Sequence, residues 1–171
     1  LPRGPSGVRF EYGYATDVLG VLLETLTGAR LDELLETELL RPLGMSDTHF
    51  YLPGEKSERL AVVYTHRGGR LERAPDGNGM IAQGTYVGDV RQSIPAGAGL
   101  VSTAKDYATF LSMIAAGGRY NGRPLLSPAA HGLMVTDQLD GAAYPRPGRG
   151  FGLGFEVDSG DVELNEVLSL I

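Results

Sequence analysis

The hydrophobic positions between residues 15 and 40 fall into two helical repeats separated by a short break. In the first repeat, apolar residues recur at the three- and four-residue spacing of one helix face, at Val18, Leu19, Leu22, Leu23 and Leu26. The second repeat has the same spacing at Leu31, Leu34, Leu35 and Leu39. The pattern predicts helices over residues 16–27 and 31–40. Because only a few residues join them, we expect an antiparallel pair.

The residues that flank these repeats predict where each helix begins and ends. Thr16 is a candidate N-cap, and Asp17 suits the positive end of the helix dipole. Gly28 follows the last apolar position, where a left-handed residue commonly ends a helix. We expect Pro42 and Gly44 to stop the second helix.

The middle of the chain changes from helical to strand-like patterning. Residues 61–66 (AVVYTH) are β-branched and aromatic with partial alternation, which predicts a short strand. Residues 67–69 then form a turn, and Leu71 begins a return strand. Residues 74–99 are rich in glycine without a sustained period, so we interpret them as a long loop with at most one short strand.

A further helix is predicted after residue 101. Ser102 or Thr103 is its candidate cap, Asp106 suits its first turn, and Gly117 with Gly118 ends it. Its apolar face consists of Tyr107, Phe110, Leu111 and Ile114.

The last third of the chain predicts a turn, a helix and a strand. Residues 121–122 (Asn-Gly) are typical of a turn. Ser127 is a candidate N-cap with Pro128 at the first helical position, and we expect this helix to end near Leu139. Residues 151–157 (FGLGFEV) predict a strand whose glycines admit close neighbours.

Composition narrows the classes of function. The 171 residues suit one domain of ordinary size, and a hydrophobic fraction of 42% is sufficient for a core. A net charge of −6 argues against sequence-independent binding of nucleic acid. No apolar run reaches the roughly 20 residues of a membrane span. The absence of cysteine excludes disulfides, thiolate nucleophiles and zinc–thiolate sites within this sequence.

Three sequence features, taken in order, resemble one enzyme family. They are residues 12–14 (Tyr-Gly-Tyr) before a leucine-rich helix, residues 42–45 (Pro-Leu-Gly-Met), and Asp47-Thr48. The combination resembles the serine β-lactamase and penicillin-binding-protein group, in its class C and esterase-like branch. The resemblance spans roughly residues 4–157. It implies an α/β (α+β) fold that is part of the β-lactamase/transpeptidase-like fold, mostly its helical region with a few short strands.

The resemblance also implies a mechanism and two site residues. In the family a serine forms an acyl-enzyme, a lysine lies one turn later in a Ser-x-x-Lys motif, and a tyrosine phenol approaches both. Tyr12 matches the catalytic tyrosine. Tyr14 stands where the family often has an asparagine that positions an amide, so we expect a substrate-binding role and a relative closer to esterases than to lactamases.

The chain contains one literal Ser-x-x-Lys, at Ser102 and Lys105, but its position differs from that of the family motif. The family places the nucleophile before the tyrosine, so we interpret Ser102-Thr103 as a helix cap. We therefore expect residues 1–157 to be an internal part of a serine hydrolase domain. The nucleophile would lie outside this chain, and the piece alone would be inactive. No structure is assigned to residues 158–171.

Other candidate residues are given ordinary roles. His49, His66 and His131 lack the spacing of a metal pair, so we expect structural or surface roles and no metal. Asp47 and Thr48 are interpreted as a local turn. The acidic residues of the second helix are interpreted as its solvated face; they are Asp32, Glu33, Glu36 and Glu38.

The predicted partner is a small-molecule ester or amide, without an organic cofactor, nucleic acid or membrane span in this segment. The alternative hypothesis is a non-catalytic binding or interaction domain derived from the same fold. Apolar surface at truncated edges also predicts possible self-association.

Overall fold

A computed structural model describes most of the chain, in residues 7–77, 82–87, 94–139, 142, 144–146 and 148–158. The chain divides into two compact units, and each is described by itself. The first unit contains Leu1–Gly13 and Ala108–Ile171, and the second contains Tyr14–Tyr107. Residues 159–171, nearly all of the predicted tail, lie outside the described part.

Helix α1 (Ala15–Thr27) begins earlier than its sequence suggested. Tyr14 takes the N-cap position without a side-chain cap, so the prediction of Thr16 as the cap was wrong. The first turn forms because the Tyr14 carbonyl already accepts a hydrogen bond from the backbone N–H of Val18 at 3.1 Å. The predicted end is confirmed, since Gly28 has a left-handed φ of 68°.

The polar side of α1, rather than its apolar side, faces the rest of the second unit, to which α1 belongs. Asp17 accepts a hydrogen bond from the N–H of Gly97 at 3.2 Å, and Glu24 accepts one from the N–H of Leu31 at 2.8 Å. Gly20 is buried between them. The apolar side is exposed at Val18, Leu19, Val21, Leu22 and Leu26. The orientation of α1 is therefore the reverse of the usual one, in which the apolar side of a helix packs inward and the polar side is exposed.

The second predicted helix is present, and it continues past Pro42. An α-helix, α2 (Leu31–Leu35), leads through a π-helical turn (Glu36–Leu40) into α3 (Arg41–Leu43). The expectation that Pro42 stops the helix was wrong. Pro42 lies in the first turn of α3, directly after the π turn, where a missing N–H is tolerated.

Gly44 alone ends this helical run, through a Schellman motif. Gly44 has a left-handed φ of 69°, and its N–H donates to the carbonyl of Arg41 at 3.1 Å. The N–H of Met45 donates to the carbonyl of Leu40 at 2.9 Å. Leu40 and Met45 are both buried, which is the apolar pairing that accompanies this motif.

The described strands of the second unit form an antiparallel hairpin. Strand β1 (Tyr64–Arg67) pairs with β2 (Arg70–Arg73), with Tyr64 opposite Arg73. The predicted turn and return strand are confirmed, but β1 is shorter and shifted towards the turn. A 3₁₀-helix at Gly54–Arg59, not predicted from the sequence, precedes the hairpin.

Helix α4 (Ala104–Ala115) has the predicted cap and end. The Thr103 hydroxyl accepts the N–H of Asp106 at 3.2 Å. The helix ends two residues before Gly117, whose left-handed φ of 70° fits the predicted stop. The predicted turn at residues 121–122 joins β3 (Arg119–Tyr120) to β4 (Arg123–Pro124), and both turn residues have positive φ.

The C-terminal elements differ in two ways from their predictions. Helix α5 (Pro128–Val135) is capped by Ser127 as expected but ends before Leu139. The single strand predicted over residues 151–157 is instead a hairpin of β5 (Arg149–Phe151) and β6 (Glu156–Asp158). Glycines in the middle of the segment favour a reversal, because they remove the side-chain penalty of a turn.

Each unit has a small apolar core. Among the described residues of the second unit, the buried apolar side chains are Leu31, Leu40, Leu43, Met45, Leu52 and Ala74. Among those of the first unit, they are Met113, Ile114, Phe155 and Val157. Helices with short antiparallel strands confirm the α/β (α+β) class. Within the described residues, no helix combines the length and the apolar character that crossing a membrane requires.

Candidate active site

An aromatic cluster fixes the loop that carries Tyr12. The ring of Phe10 lies 4.7 Å from that of Phe151 and 5.1 Å from that of Tyr144, the latter edge-on. Edge-on and tilted arrangements of this kind are favourable for aromatic pairs. Phe10, which precedes Tyr12 by two residues, therefore holds the loop against β5.

The buried carboxylate of Glu156 holds Tyr144 of the aromatic cluster in place through a hydrogen bond. The Tyr144 hydroxyl donates to Glu156 Oε2 at 2.7 Å, and Arg146 donates to the same carboxylate at 2.8 Å. The Glu156 side chain is only 2% exposed, so these partners compensate a charge that would be costly to bury alone. Burial, with a smaller contribution from Glu156, raises the pKa of Tyr144 and keeps its phenol neutral.

Tyr12 lies at the edge of an open groove. Its side chain is 67% exposed, so the phenol is accessible to a reactant. The groove has a volume of about 510 Å³ and is lined by Arg9, Phe10, Glu11, Tyr12, Tyr144 and Pro145. Arg9 and Glu11 form an ion pair of 2.7 Å within it.

Tyr14 is also exposed, at the position that precedes α1. Its side chain is 84% exposed and its backbone carbonyl belongs to the first helical turn. Tyr12 belongs to the first unit and Tyr14 to the second. Both predicted site residues thus have accessible side chains, while their roles stay predictions.

The literal Ser-x-x-Lys motif is part of the start of α4. The Ser102 hydroxyl lies 2.8 Å from that of Thr48, and Thr48 donates to the buried carboxylate of Asp106 at 3.0 Å. Thr103 caps the helix. The hydroxyl of Ser102 is thus joined to a network that holds the helix start, as expected for a residue next to a cap. Lys105 lies in the first turn of α4.

An ion cluster around Asp47 was missed by sequence reasoning. Asp47 accepts two hydrogen bonds from Arg59, at 2.8 and 2.9 Å, and lies 2.9 Å from the Lys56 ammonium. The Arg59 hydrogen bonds, followed by that of Lys56, hold the pKa of Asp47 well below its usual range. With Ser102 and Thr103 these residues line a cavity of about 210 Å³.

The interpretation of Asp47 as a purely local turn was therefore incomplete. A signal existed in the three-residue spacing of Lys56 and Arg59, which places both on one side of a 3₁₀-helix. The spacing indicates a shared side only in a 3₁₀-helix, and the sequence did not predict a 3₁₀-helix at Gly54–Arg59.

The histidines take structural or surface positions. His49 Nε2 lies 3.1 Å from the ammonium of Lys56, and burial, then that neighbouring charge, lowers the pKa of His49. His131 Nε2 lies 2.9 Å from the carbonyl of Ile114, and His66 is exposed on β1. Over the described ranges, no three His, Cys, Asp or Glu side chains are grouped so as to hold a metal.

The sequence and the fold both match those of a known protein family. The sequence model of the family described as Beta-lactamase matches residues 1–165, so this chain belongs to that family. Among curated relatives, Protein Rv1367c of Mycobacterium tuberculosis (strain ATCC 25618 / H37Rv) is 34% identical over 161 residues, covering 88% of this chain and 38% of that protein.

Solved structures agree with this assignment. EstCE1, described as a hydrolase with promiscuous acyltransferase activity, superposes with a TM-score of 0.69 at 27% identity, over 92% of this chain and 42% of its own. The octameric penicillin-binding protein homologue from Pyrococcus abyssi gives a TM-score of 0.63 at 26% identity, over 88% and 30% of the two chains. The chain spans less than half the length of each of these relatives.

Proposed function

We propose that this chain is part of a serine hydrolase that acts through an acyl-enzyme, with Tyr12 as the catalytic tyrosine. The observation that carries the proposal is the placement of Tyr12. Its side chain is 67% exposed at an open groove, on a loop held by the Phe10 ring contacts. A residue that exchanges protons with a substrate needs both accessibility and a fixed position.

The proposed chemistry follows from the properties of a phenol. The lysine of a Ser-x-x-Lys motif would lie beside the phenol oxygen and assist it in moving protons. The Tyr12 oxygen, assisted by that lysine, takes the proton from the attacking serine as the serine oxygen bonds to the substrate carbonyl carbon. When the bond from carbon to the leaving oxygen breaks, the same proton passes to that oxygen. Water then hydrolyses the acyl-enzyme.

We place the attacking serine on polypeptide other than these residues. We assign Ser102 instead to the network that holds the start of α4, where its hydroxyl lies 2.8 Å from that of Thr48. The chain also spans only 38% of Rv1367c, which leaves more than half of such a protein to supply a Ser-x-x-Lys.

We further propose an ester as the substrate rather than a β-lactam. Tyr14 occupies the position at which the family often has an asparagine that positions an amide. EstCE1, which this chain resembles, is described as a hydrolase with promiscuous acyltransferase activity. The same substitution also motivates the second candidate, a binding module without catalysis.

A fluorophosphonate probe with peptide mapping tests the catalytic proposal. In the product of the parent gene we expect the adduct on a serine outside these 171 residues, and none on the 171-residue chain alone. Tyr12→Phe should slow labelling of the parent by about 10²–10⁴-fold, the usual contribution of general acid–base catalysis. Ser102→Ala, the control, should leave labelling unchanged.

An adduct on Ser102 would overturn the proposal. A parent gene without a Ser-x-x-Lys before Tyr12 would favour the binding module instead.

A further inference from the structure

The groove beside Tyr12 is lined mainly by rings. Phe10, Tyr12 and Tyr144 contribute aromatic side chains, and Pro145 contributes a fourth ring. Phe10 and Tyr144 are fixed against each other at 5.1 Å between ring centroids. A ligand that enters this groove therefore meets preformed aromatic surface, which favours an aromatic group of its own.

The hydroxyl group of Tyr144 already has a hydrogen-bond acceptor within the protein. Its hydroxyl hydrogen is donated to Glu156, at 2.7 Å between the oxygens. Glu156 is in turn held by Arg146 at 2.8 Å. Tyr144 consequently offers a ligand its ring rather than a hydrogen-bond donor.

The described residues that line the groove carry one positive and one negative side chain, Arg9 and Glu11, which are paired with each other. Arg9 lies 2.7 Å from Glu11, so the one cation among the described lining residues already faces a carboxylate. Nearby in the same unit, Arg146 pairs with Glu156 and Arg149 with Asp158. An anionic ligand would have to compete with Glu11 for Arg9 and would lose its own hydration.

From these observations we infer that the groove is the subsite for a neutral aromatic group of an ester substrate, and that it discriminates against carboxylate-bearing ligands. This inference rests on the proposed function, because it takes Tyr12 as the residue next to which the ester bond lies. It also separates this chain from enzymes that select anionic β-lactams.

A matched pair of ligands tests the inference on the 171-residue chain. Methyl 2-naphthoate and 2-naphthoate share one ring system and differ in charge. We expect the neutral ester to bind at least about tenfold more tightly, with tyrosine ring NMR signals as the readout. Benzylpenicillin, an anionic β-lactam, should bind as weakly as naphthoate.

Two variants locate the effect. Phe10→Ala should weaken binding of the ester about tenfold, whereas Phe50→Ala, in the other unit, should leave it unchanged. Glu11→Gln removes the carboxylate that lies 2.7 Å from Arg9, so it should strengthen naphthoate binding several-fold and reduce the discrimination. Because Glu11 is exposed, this variant decides the question even where Phe10→Ala fails to fold.

Equal affinity for the two ligands, or unchanged discrimination in Glu11→Gln, would overturn the inference. Such a result leaves the proposed function standing if the parent protein still labels on an upstream serine. Labelling of Ser102 overturns the proposed function whatever the ligand preference.

Discussion

The Tyr144 hydroxyl and the Glu156 carboxylate, 2.7 Å apart, link the aromatic cluster at the candidate site to the β5–β6 hairpin. Glu156 lies on β6, with its side chain almost entirely buried, and Tyr144 contacts Phe10. The carboxylate is thus the polar support of the loop that presents Tyr12.

Replacing this carboxylate should destabilise the protein. Glu156→Gln keeps the shape but weakens the hydrogen bonds from Tyr144 and Arg146. We expect the free energy of unfolding to fall by about 1–3 kcal/mol, the usual cost of disturbing a buried polar group. Urea denaturation measures it. Glu38→Gln, an exposed control on the π-helical turn, should stay within about 0.5 kcal/mol of wild type. An equal effect of the two substitutions contradicts the supporting role of Glu156.

The Asp47 cluster should make stability depend on acid pH. Arg59, then Lys56, holds the pKa of Asp47 below its ordinary value of 3.8 in the folded state. The unfolded chain therefore binds a proton before the folded one does. The stabilisation is present above about pH 4 and is lost as the pH falls through the folded pKa. Thermal midpoints from pH 7 to pH 2 should fall less steeply for Asp47→Asn than for wild type; parallel curves would contradict the assignment.

Two helical glycines should respond in opposite directions to alanine. A Cβ on Gly20 would lie 2.5 Å from the Cβ of Ala96, so Gly20→Ala should destabilise by about 1–3 kcal/mol despite the helix preference of alanine. Gly132 of α5 has nothing within 4 Å of the same position, so Gly132→Ala should stabilise by about 0.5–1 kcal/mol. Chemical denaturation of both variants measures the two changes in the free energy of unfolding. A stabilising Gly20→Ala would contradict the close packing of Gly20 against Ala96.

The exposed apolar face of α1 should drive association. Val18 and Leu22 are 67% and 49% exposed and lie one helical turn apart. We expect an oligomer at high concentration in size-exclusion chromatography with light scattering. The double variant Val18→Lys, Leu22→Lys should shift the mass towards monomer, while Thr27→Lys, exposed on the opposite side of α1 from Val18, should shift it less. A wild-type monomer that is stable across dilution would contradict this expectation.

The proposed site was only partly predictable. Tyr12 and Tyr14 were singled out through the residues that follow them, since a tyrosine on a loop is unremarkable by itself. The groove beside Tyr12 depends on Tyr144 and Phe151, which lie more than 130 residues later in the chain. No local pattern relates these side chains to the loop.

The sequence by itself determined features that depend on neighbouring residues. It predicted helix stops at Gly28, Gly44 and Gly117, all of which have a positive φ, and the cap at Ser127. These succeed because a cap or a positive φ is satisfied within one turn of backbone.

The tertiary structure alone decided which side of α1 faces inward. Asp17 accepts from Gly97, eighty residues away, and Glu24 accepts from the start of α2. It also decided that Asp47 joins Arg59 and that Glu156 is buried. A helical period shows that two faces differ, but hydrogen bonds from distant backbone decide which of them is covered.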